Sequence, residues 1–181
     1  MALPGTIERV LAAEYLDGLS SWSNEQVRRA RAECEREEAG VSYARRVLQG
    51  RIDLLRVELE RRHEGGHDLT TLLADLPRIL ASDQYPSDPL QARAVNVSVP
   101  EAAEVLEAEI DEIVDRAGLD DLGGRDADDL AQLIEELATY ERYLSGLRRQ
   151  LFERIDMLRD ELVQRYKDGR ASVGDLLGGQ A

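Results

Sequence analysis

Five polar residues in the first third of the chain share one face of a predicted helix. They are Glu38, Ser42, Arg45, Gln49 and Asp53, at spacings of 4, 3, 4 and 4 residues. At about 100° per residue, these spacings place the five side chains in one narrow stripe. The stripe contains an acid, a hydroxyl, a cation, an amide and a second acid, whereas a solvated helix face is more often uniform Glu, Lys and Arg. The mixture indicates a candidate ligand site.

A second copy of this stripe lies 103 residues further along the chain. EAGVSYARRVLQGRIDLLRVELERR aligns with ERYLSGLRRQLFERIDMLRDELVQR, and about half of the positions are identical. The copy keeps four of the five side chains, namely Glu141, Ser145, Arg148 and Asp156. Phe152 stands where the first copy has Gln49. Coiled coils in general share leucines, but they need not share Ser, Arg and Asp at the same offsets. The repeat therefore predicts two equivalent helices related by a pseudo-twofold axis.

The side chains of the stripe suit a small guanine nucleotide. Arginine offers a planar fork of donors for phosphate or for guanine O6 and N7, and its plane can stack on a base. A carboxylate can accept from the N1–H and N2–H groups of guanine, while Ser and Gln can bond to phosphate or to base edges. Because the site is duplicated, a ligand with twofold symmetry is expected.

The first stripe, E-x3-S-x2-R-x3-Q-x3-D, resembles the cyclic di-GMP-binding signature of the RsiG-type anti-sigma factors of actinobacteria. The resemblance covers both long helices, roughly half of the chain. It implies a coiled-coil protein whose two motif helices hold an intercalated pair of cyclic di-GMP molecules. It also implies that the loaded protein sequesters a WhiG-like sporulation or motility sigma factor and so blocks its use by RNA polymerase.

The resemblance further implies a role for each side chain of the two stripes. The residues expected to read guanine or phosphate are Arg45, Arg148, Asp53 and Asp156. Those expected to add hydrogen bonds are Ser42, Ser145 and Gln49, while Glu38 and Glu141 are expected to orient the arginines. Phe152 either stacks on or supports a base, or leaves the second half-site short of one bond. Further arginines expected to help neutralise phosphates are Arg46, Arg149, Arg51 and Arg154.

Two long helices must position these residues. We predict the first for residues 23–66, beginning with a capping box formed by Ser23 and Gln26, and the second for residues 126–169. Apolar residues alternate at spacings of three and four in both helices, which is typical of a coiled-coil seam about 100° from the polar stripe. We expect an antiparallel pair, because a perpendicular twofold axis would then relate the two stripes.

The remaining segments predict shorter elements. Residues 1–22 contain one short helix, TIERVLAAEYL, and residues 67–125 form a connection with short helices at LTTLLADL and EAAEVLEAEIDEIVDRAG. Residues 170–181 are predicted to be a mobile tail. VNVSV at 95–99 is the only strand-like stretch, so the predicted fold class is all-α.

Composition narrows the classes of partner. The net charge of −14 argues against direct binding to DNA or to anionic membranes, and it favours a basic protein partner. Cys34 is the only cysteine, so no internal disulfide can form and a reducing cytoplasm is the expected location. No stretch approaches about 18 apolar residues, and the N-terminus lacks the pattern of a signal peptide.

Other functions fit the sequence less well. HEGGH at 63–67 has the letters of a zinc motif, but two glycines interrupt the helix that the motif requires and no third histidine exists. We therefore expect no metal, and the absence of a nucleophile–base set predicts that the protein is not an enzyme. The alternative to a ligand-dependent regulator is a structural coiled-coil adaptor without nucleotide binding.

Overall fold

The computed structural model describes residues 3–63, 101–116 and 126–169. The helices in these ranges are α1 (Gly5–Leu11), α2 (Asn24–His63), α3 (Glu101–Arg116) and α4 (Ala127–Lys167), with 3-10 turns at Ala13–Leu16 and Leu19–Ser21. These ranges contain no strand, so the predicted all-α class is confirmed. The predicted helix at LTTLLADL, the strand-like stretch at 95–99 and the predicted tail at 170–181 lie outside the described residues.

Local hydrogen bonds explain where the two long helices begin. At the start of α2, the Ser23 amide donates to Gln26 Oε1 at 2.7 Å and the Gln26 amide donates to Ser23 Oγ at 3.2 Å, which confirms the capping box. At the start of α4, Asp126 Oδ1 accepts from the Asp129 amide at 2.9 Å. Gly169 follows the end of α4 with a φ of 68°, a conformation that glycine adopts without steric cost.

α2 and α4 pack against each other in opposite directions. Arg28 near the start of α2 donates to the Tyr166 hydroxyl near the end of α4 at 2.7 Å, whereas Gln49 further along α2 meets Glu141 near the middle of α4. The antiparallel arrangement expected from the repeat is therefore confirmed. The seam residues buried from α2 are Val41, Ala44, Leu48, Ile52 and Leu55, and those from α4 are Leu130, Leu133, Leu137, Tyr140, Leu144, Leu147, Leu151, Leu158 and Leu162. Each leucine removed from water contributes about 2 kcal/mol, so the seam is the main source of stability.

The two short helices cover one side of this pair. In α1, Thr6 Oγ1 donates to Glu37 Oε2 of α2 at 2.9 Å. In α3, Glu109 Oε2 accepts from the Tyr140 hydroxyl of α4 at 2.6 Å. Glu37 and Tyr140 are equivalent positions of the repeat, so the two long helices contact α1 and α3 from equivalent places.

A second pair of equivalent positions holds the same short helices. Arg51 of α2 forms an ion pair with Asp111 of α3 at 2.6 Å, and Arg154 Nη2 of α4 donates to the carbonyl oxygens of Leu11 and Ala12 at 3.1 and 3.0 Å. On a helical wheel, Arg51 and Arg154 lie roughly opposite the polar stripe. α1 and α3 therefore cover the groove of the helix pair that faces away from the stripe.

The contact of Arg154 also corrects the sequence prediction for the N-terminal segment. One helix was expected over TIERVLAAEYL, but α1 ends at Leu11, and Ala12 adopts φ −55° and ψ 144° before a 3-10 turn. The Leu11 carbonyl, which would accept from the Tyr15 amide in a continuous helix, accepts from Arg154 instead. The Tyr15 amide bonds to the Ala12 carbonyl at 3.2 Å, which gives the tighter turn.

Within the described ranges, no helix combines the length and the apolar character that crossing a membrane requires.

Candidate ligand site

The side of the helix pair that α1 and α3 leave uncovered carries two hydrogen-bonded networks that cross between α2 and α4. In the first, Arg148 Nε donates to Glu38 Oε1 at 2.9 Å and to Ser42 Oγ at 2.8 Å. Ser42 Oγ in turn donates to Glu38 Oε1 at 2.6 Å. The arginine of α4 is thus held by the acid and the hydroxyl of α2.

The second network repeats the first with the helices exchanged. Arg45 Nε donates to Ser145 Oγ at 3.1 Å and lies 3.1 Å from Glu141 Oε1. Ser145 Oγ donates to the same glutamate oxygen at 3.0 Å. Gln49 Nε2 donates to this oxygen as well, at 3.3 Å.

The two networks obey the pseudo-twofold symmetry predicted from the repeat. Each residue has an equivalent 103 positions away in the other copy of the repeat. Exchanging equivalents turns the pair Arg45–Ser145 into the pair Arg148–Ser42, and both pairs are in contact. The axis passes between Ser42 and Arg45 on α2 and between Ser145 and Arg148 on α4. Seven residues of the two stripes therefore come together: Glu38, Ser42, Arg45, Gln49, Glu141, Ser145 and Arg148.

Each half of the site combines residues from both helices. We call half-site 1 the set Glu141, Ser145, Arg45, Gln49 and Asp53, and half-site 2 the set Glu38, Ser42, Arg148, Phe152 and Asp156. With a rise of 1.5 Å per residue, the centres of the two half-sites lie on the order of 13 Å apart along the groove.

The crossed networks orient the two arginines but use only part of their hydrogen-bond donors. The side chain of Arg45 is 26% exposed and that of Arg148 is 39% exposed. Among the described residues, the hydrogen bonds of both arginines come from Nε alone, so the two Nη groups of each remain for an anion. A guanidinium whose orientation is already set loses less freedom when it binds a phosphate in bidentate fashion.

The sequence model of the RsiG-like family matches residues 13–80 and 116–179, which include both long helices and both stripes. The chain belongs to the RsiG-like family. No curated protein matches it closely enough to add a relative. Membership in this family of regulators suggests an anti-sigma role rather than a catalytic one.

Asp53 and Asp156 stay outside the crossed networks of this RsiG-like chain. Each pairs with an arginine three residues further along its own helix, Asp53 with Arg56 at 3.4 Å and Asp156 with Arg159 at 2.9 Å. Both aspartates lie at the outer end of their half-site, and their side chains are 44% and 54% exposed. Because exposed ion pairs of this kind contribute little, the carboxylates can exchange these partners for a ligand at low cost.

The half-sites differ at one position. Gln49 of half-site 1 bonds to Glu141 across the groove. Phe152 of half-site 2 lies instead beside Arg148 of its own helix, with the guanidinium carbon 4.8 Å from the ring centroid. The two half-sites of the RsiG-like repeat therefore contain equivalent arginines, but half-site 1 adds the amide of Gln49 and half-site 2 adds the ring of Phe152.

The additional arginines divide into two groups. Arg46 and Arg149 are exposed and flank the stripe, as phosphate neutralisation would require. Arg51 and Arg154 hold α3 and α1 on the covered side, so the expectation that they help to neutralise phosphates is wrong. Sequence position alone did not separate these pairs, because the difference depends on where the short helices dock.

Several ionisable residues outside the stripe have pKa values that are shifted by burial or by structural partners. Glu33 accepts from Tyr15 at 2.6 Å and pairs with Arg9 at 2.9 Å, and the hydrogen bond from Arg9 lowers the pKa of Glu33. Burial, with the nearby charge of Glu33, raises the pKa of the Cys34 thiol to about 11, so this thiol is poorly suited to react as a thiolate. Burial and the hydrogen bond to Glu109 also raise the pKa of Tyr140.

The described ranges contain no group of three or more His, Cys, Asp or Glu side chains placed to hold a metal ion. His63 is the last residue of α2, and the remainder of HEGGH lies outside the described residues.

Proposed function

We propose that this RsiG-like protein is a cyclic di-GMP-responsive anti-sigma factor that sequesters a WhiG-like sporulation or motility sigma factor when loaded with a pair of cyclic di-GMP molecules. The observation that carries the proposal is the pair of crossed Glu–Ser–Arg networks in the groove opposite α1 and α3. They present two oriented arginines, Arg45 and Arg148, about a pseudo-twofold axis. A pair of cyclic dinucleotides can share this symmetry.

The chemistry of each half-site matches a different part of the ligand. The Nη groups of the arginines can take phosphate oxygens in bidentate pairs, or guanine O6 and N7. The carboxylates of Asp53 and Asp156 can accept from guanine N1–H and N2–H after leaving their weak intrahelical partners. Arg46 and Arg149 offset further phosphate charge in a chain whose net charge is −14.

The ligand would act as a clamp between α2 and α4. Each half-site contains residues of both helices, so a bound pair of nucleotides bonds to both and favours the conformation in which they are closely paired. A partner that binds this conformation better is then favoured by the ligand. The acidic surface of the chain suits a partner with a basic face.

Calorimetry on matched variants tests the binding step. Wild-type protein titrated with cyclic di-GMP is expected to bind two molecules per chain, and Arg45→Ala/Arg148→Ala is expected to lose at least a hundredfold in affinity. The reason is that each charge-assisted hydrogen bond lost with an arginine contributes about 1.5–3 kcal/mol to the free energy of binding. Arg29→Ala/Arg36→Ala removes the same charge from exposed positions of α2 that lie roughly opposite the stripe, and it should bind like the wild type.

The same three proteins test the partner. With cyclic di-GMP present, immobilised wild type and the control variant should capture a WhiG-like sigma factor, while Arg45→Ala/Arg148→Ala should not. Equal affinity for the ligand in all three proteins, or no heat with any, refutes the ligand site. Ligand binding without capture of a sigma factor refutes the anti-sigma role alone.

The competing function is a structural coiled-coil adaptor without nucleotide binding. It is favoured by the fact that both arginines already bridge α2 and α4 through Nε. In an adaptor the crossed networks would serve only to set the register of the two helices. The ligand titration separates the two functions, because an adaptor gives no heat with cyclic di-GMP.

A further inference from the structure

Phe152 is an unusual residue for its position. It is the only phenylalanine of the chain, and it stands in a polar stripe where the repeat has Gln49. The residue is 39% exposed and lies in the groove opposite α1 and α3. Single exposed apolar side chains are common on protein surfaces, so what distinguishes Phe152 is its place in a polar stripe that the other copy of the repeat fills with an amide.

The neighbour of Phe152 gives the ring a defined orientation. The guanidinium carbon of Arg148 lies 4.8 Å from the ring centroid, which is within the range of a cation–π contact. Because Nε of Arg148 is fixed by Glu38 and Ser42 of the opposite helix, the guanidinium plane cannot turn freely. The ring and the guanidinium therefore form a small, pre-oriented stack beside the pseudo-twofold axis.

The equivalent place in half-site 1 has different chemistry. Gln49 donates to Glu141 Oε1, an oxygen that also contacts Arg45 and Ser145. Among the described residues this is the one hydrogen bond of the Gln49 side chain, so its second Nε2 hydrogen and its Oε1 atom remain for a ligand. Half-site 1 thus offers hydrogen bonds at the edge of a base, whereas half-site 2 offers a flat surface.

We infer that the Arg148–Phe152 stack is a platform for one guanine base, so that half-site 2 binds its base by stacking while half-site 1 binds its base through the Gln49 amide. The inference rests on the proposed binding of cyclic di-GMP and assigns a role to a residue that departs from the signature. Stacking of a base on an aromatic side chain does not require exact in-plane alignment, and it is strong enough to replace the missing hydrogen bond of the Gln side chain.

A single fluorine label tests the platform directly. Because the chain has one phenylalanine, growth with 4-fluorophenylalanine places one fluorine in the protein, on Phe152. We expect its ¹⁹F resonance to move by more than its linewidth when cyclic di-GMP is added, since a stacked purine shifts nearby nuclei through its ring current. Calorimetry on the labelled protein establishes in parallel that ligand is bound.

Substitutions give a second readout. Phe152→Leu keeps apolar bulk but removes the aromatic face, and it should weaken cyclic di-GMP binding roughly ten- to hundredfold. Phe152→Tyr keeps the face and should stay within about threefold of wild type. Met157→Gln, at an exposed apolar residue of α4 outside both half-sites, should leave the affinity unchanged.

The outcomes separate this inference from the proposed function. Absence of heat with the wild type refutes the proposed function and this inference with it. Heat of binding with an unmoved fluorine resonance, or with Phe152→Leu binding as tightly as the wild type, refutes only the platform.

Discussion

At the scale of single residues, the crossed networks depend on ion pairs between α2 and α4 rather than on ion pairs within one helix. Glu38 neutralises Arg148 and Glu141 neutralises Arg45, with N···O distances of 2.9 and 3.1 Å. The acids are 17% and 21% exposed, so these pairs lie between buried and solvated ion pairs. Such pairs contribute more than exposed ones because water screens them less.

Double-mutant cycles measure this difference. Alanine substitutions in the Arg45–Glu141 and Arg148–Glu38 pairs should give coupling energies of about 1 kcal/mol each, similar in the two pairs because the pseudo-twofold axis gives them similar surroundings. The matched control is Arg29–Glu25, an exposed pair on α2, for which about 0.3 kcal/mol is expected. Urea unfolding measures all three cycles, and site pairs with no more coupling than the control would contradict the matched-charge description.

The residues that share the stripe could be predicted from spacing, but their partners could not. Helical periodicity places Arg45 on the same face as Ser42 and Gln49, and the structure agrees. That Arg45 meets Ser145 rather than Ser42 depends on the register of α2 against α4. This register results from the packing of the whole leucine seam, which no short motif contains. The roles of these residues toward a ligand remain predictions.

At the scale of elements, one buried arginine holds the turn that leads from the N-terminal segment into α2. Arg165 of α4 is 3% exposed, and its Nη1 donates to the Trp22 carbonyl at 2.6 Å while its Nη2 donates to the Leu19 carbonyl at 2.8 Å. Its Nε pairs with Glu161 at 2.7 Å. The guanidinium thus satisfies the carbonyls of the turn that leads into α2.

Removing this guanidinium should loosen the turn. Arg165→Ala removes the donor of the Trp22 carbonyl and of Glu161, while the Leu19 carbonyl keeps only the Trp22 amide at 3.2 Å. We expect this substitution to lower the free energy of unfolding by about 2–4 kcal/mol. Arg159→Ala, at an exposed arginine of the same helix, should change it by less than about 0.5 kcal/mol. Urea unfolding compares the variants, and faster hydrogen exchange at residues 19–27 should accompany the loss. Equal stabilities would show that the turn is held by its apolar contacts.

The elements with strong end signals were predicted well, and those shaped by distant contacts were not. The capping box at Ser23 and the apolar seam sufficed to predict α2, and the acidic amphipathic pattern sufficed for α3. α1 was predicted too long, because the donor that ends it, Arg154, lies more than 140 residues away in the sequence. Likewise, the side of the coiled coil that α1 and α3 cover is decided by tertiary contacts.

At the scale of the whole molecule, the repeat produces a pseudo-twofold helix pair with two unlike grooves. One groove is covered by α1 and α3 through Glu37, Tyr140, Arg51 and Arg154. The other carries the crossed networks and is open among the described residues. A ligand bound in the open groove would contact both long helices, so its binding free energy would add to that of the seam. The family could be predicted from the signature and its repeat, and the fold class from the apolar spacing. Which groove α1 and α3 cover could be seen only in the structure.

Binding that depends on the paired helices must raise the stability of the fold. At a free cyclic di-GMP concentration a hundred times the Kd, one site contributes about 2.7 kcal/mol, which corresponds to a rise in Tm of roughly 5–10 °C for a chain of this size. Thermal unfolding followed by circular dichroism measures the shift. Arg45→Ala/Arg148→Ala should show no rise, while Arg29→Ala/Arg36→Ala should shift like the wild type. Cyclic di-AMP has the same ring and charge but lacks guanine N1–H and N2–H, so it should shift Tm far less. If cyclic di-GMP leaves the Tm of every variant unchanged, the protein is a structural adaptor rather than a ligand-binding regulator. In an adaptor the crossed networks are already complete without a ligand.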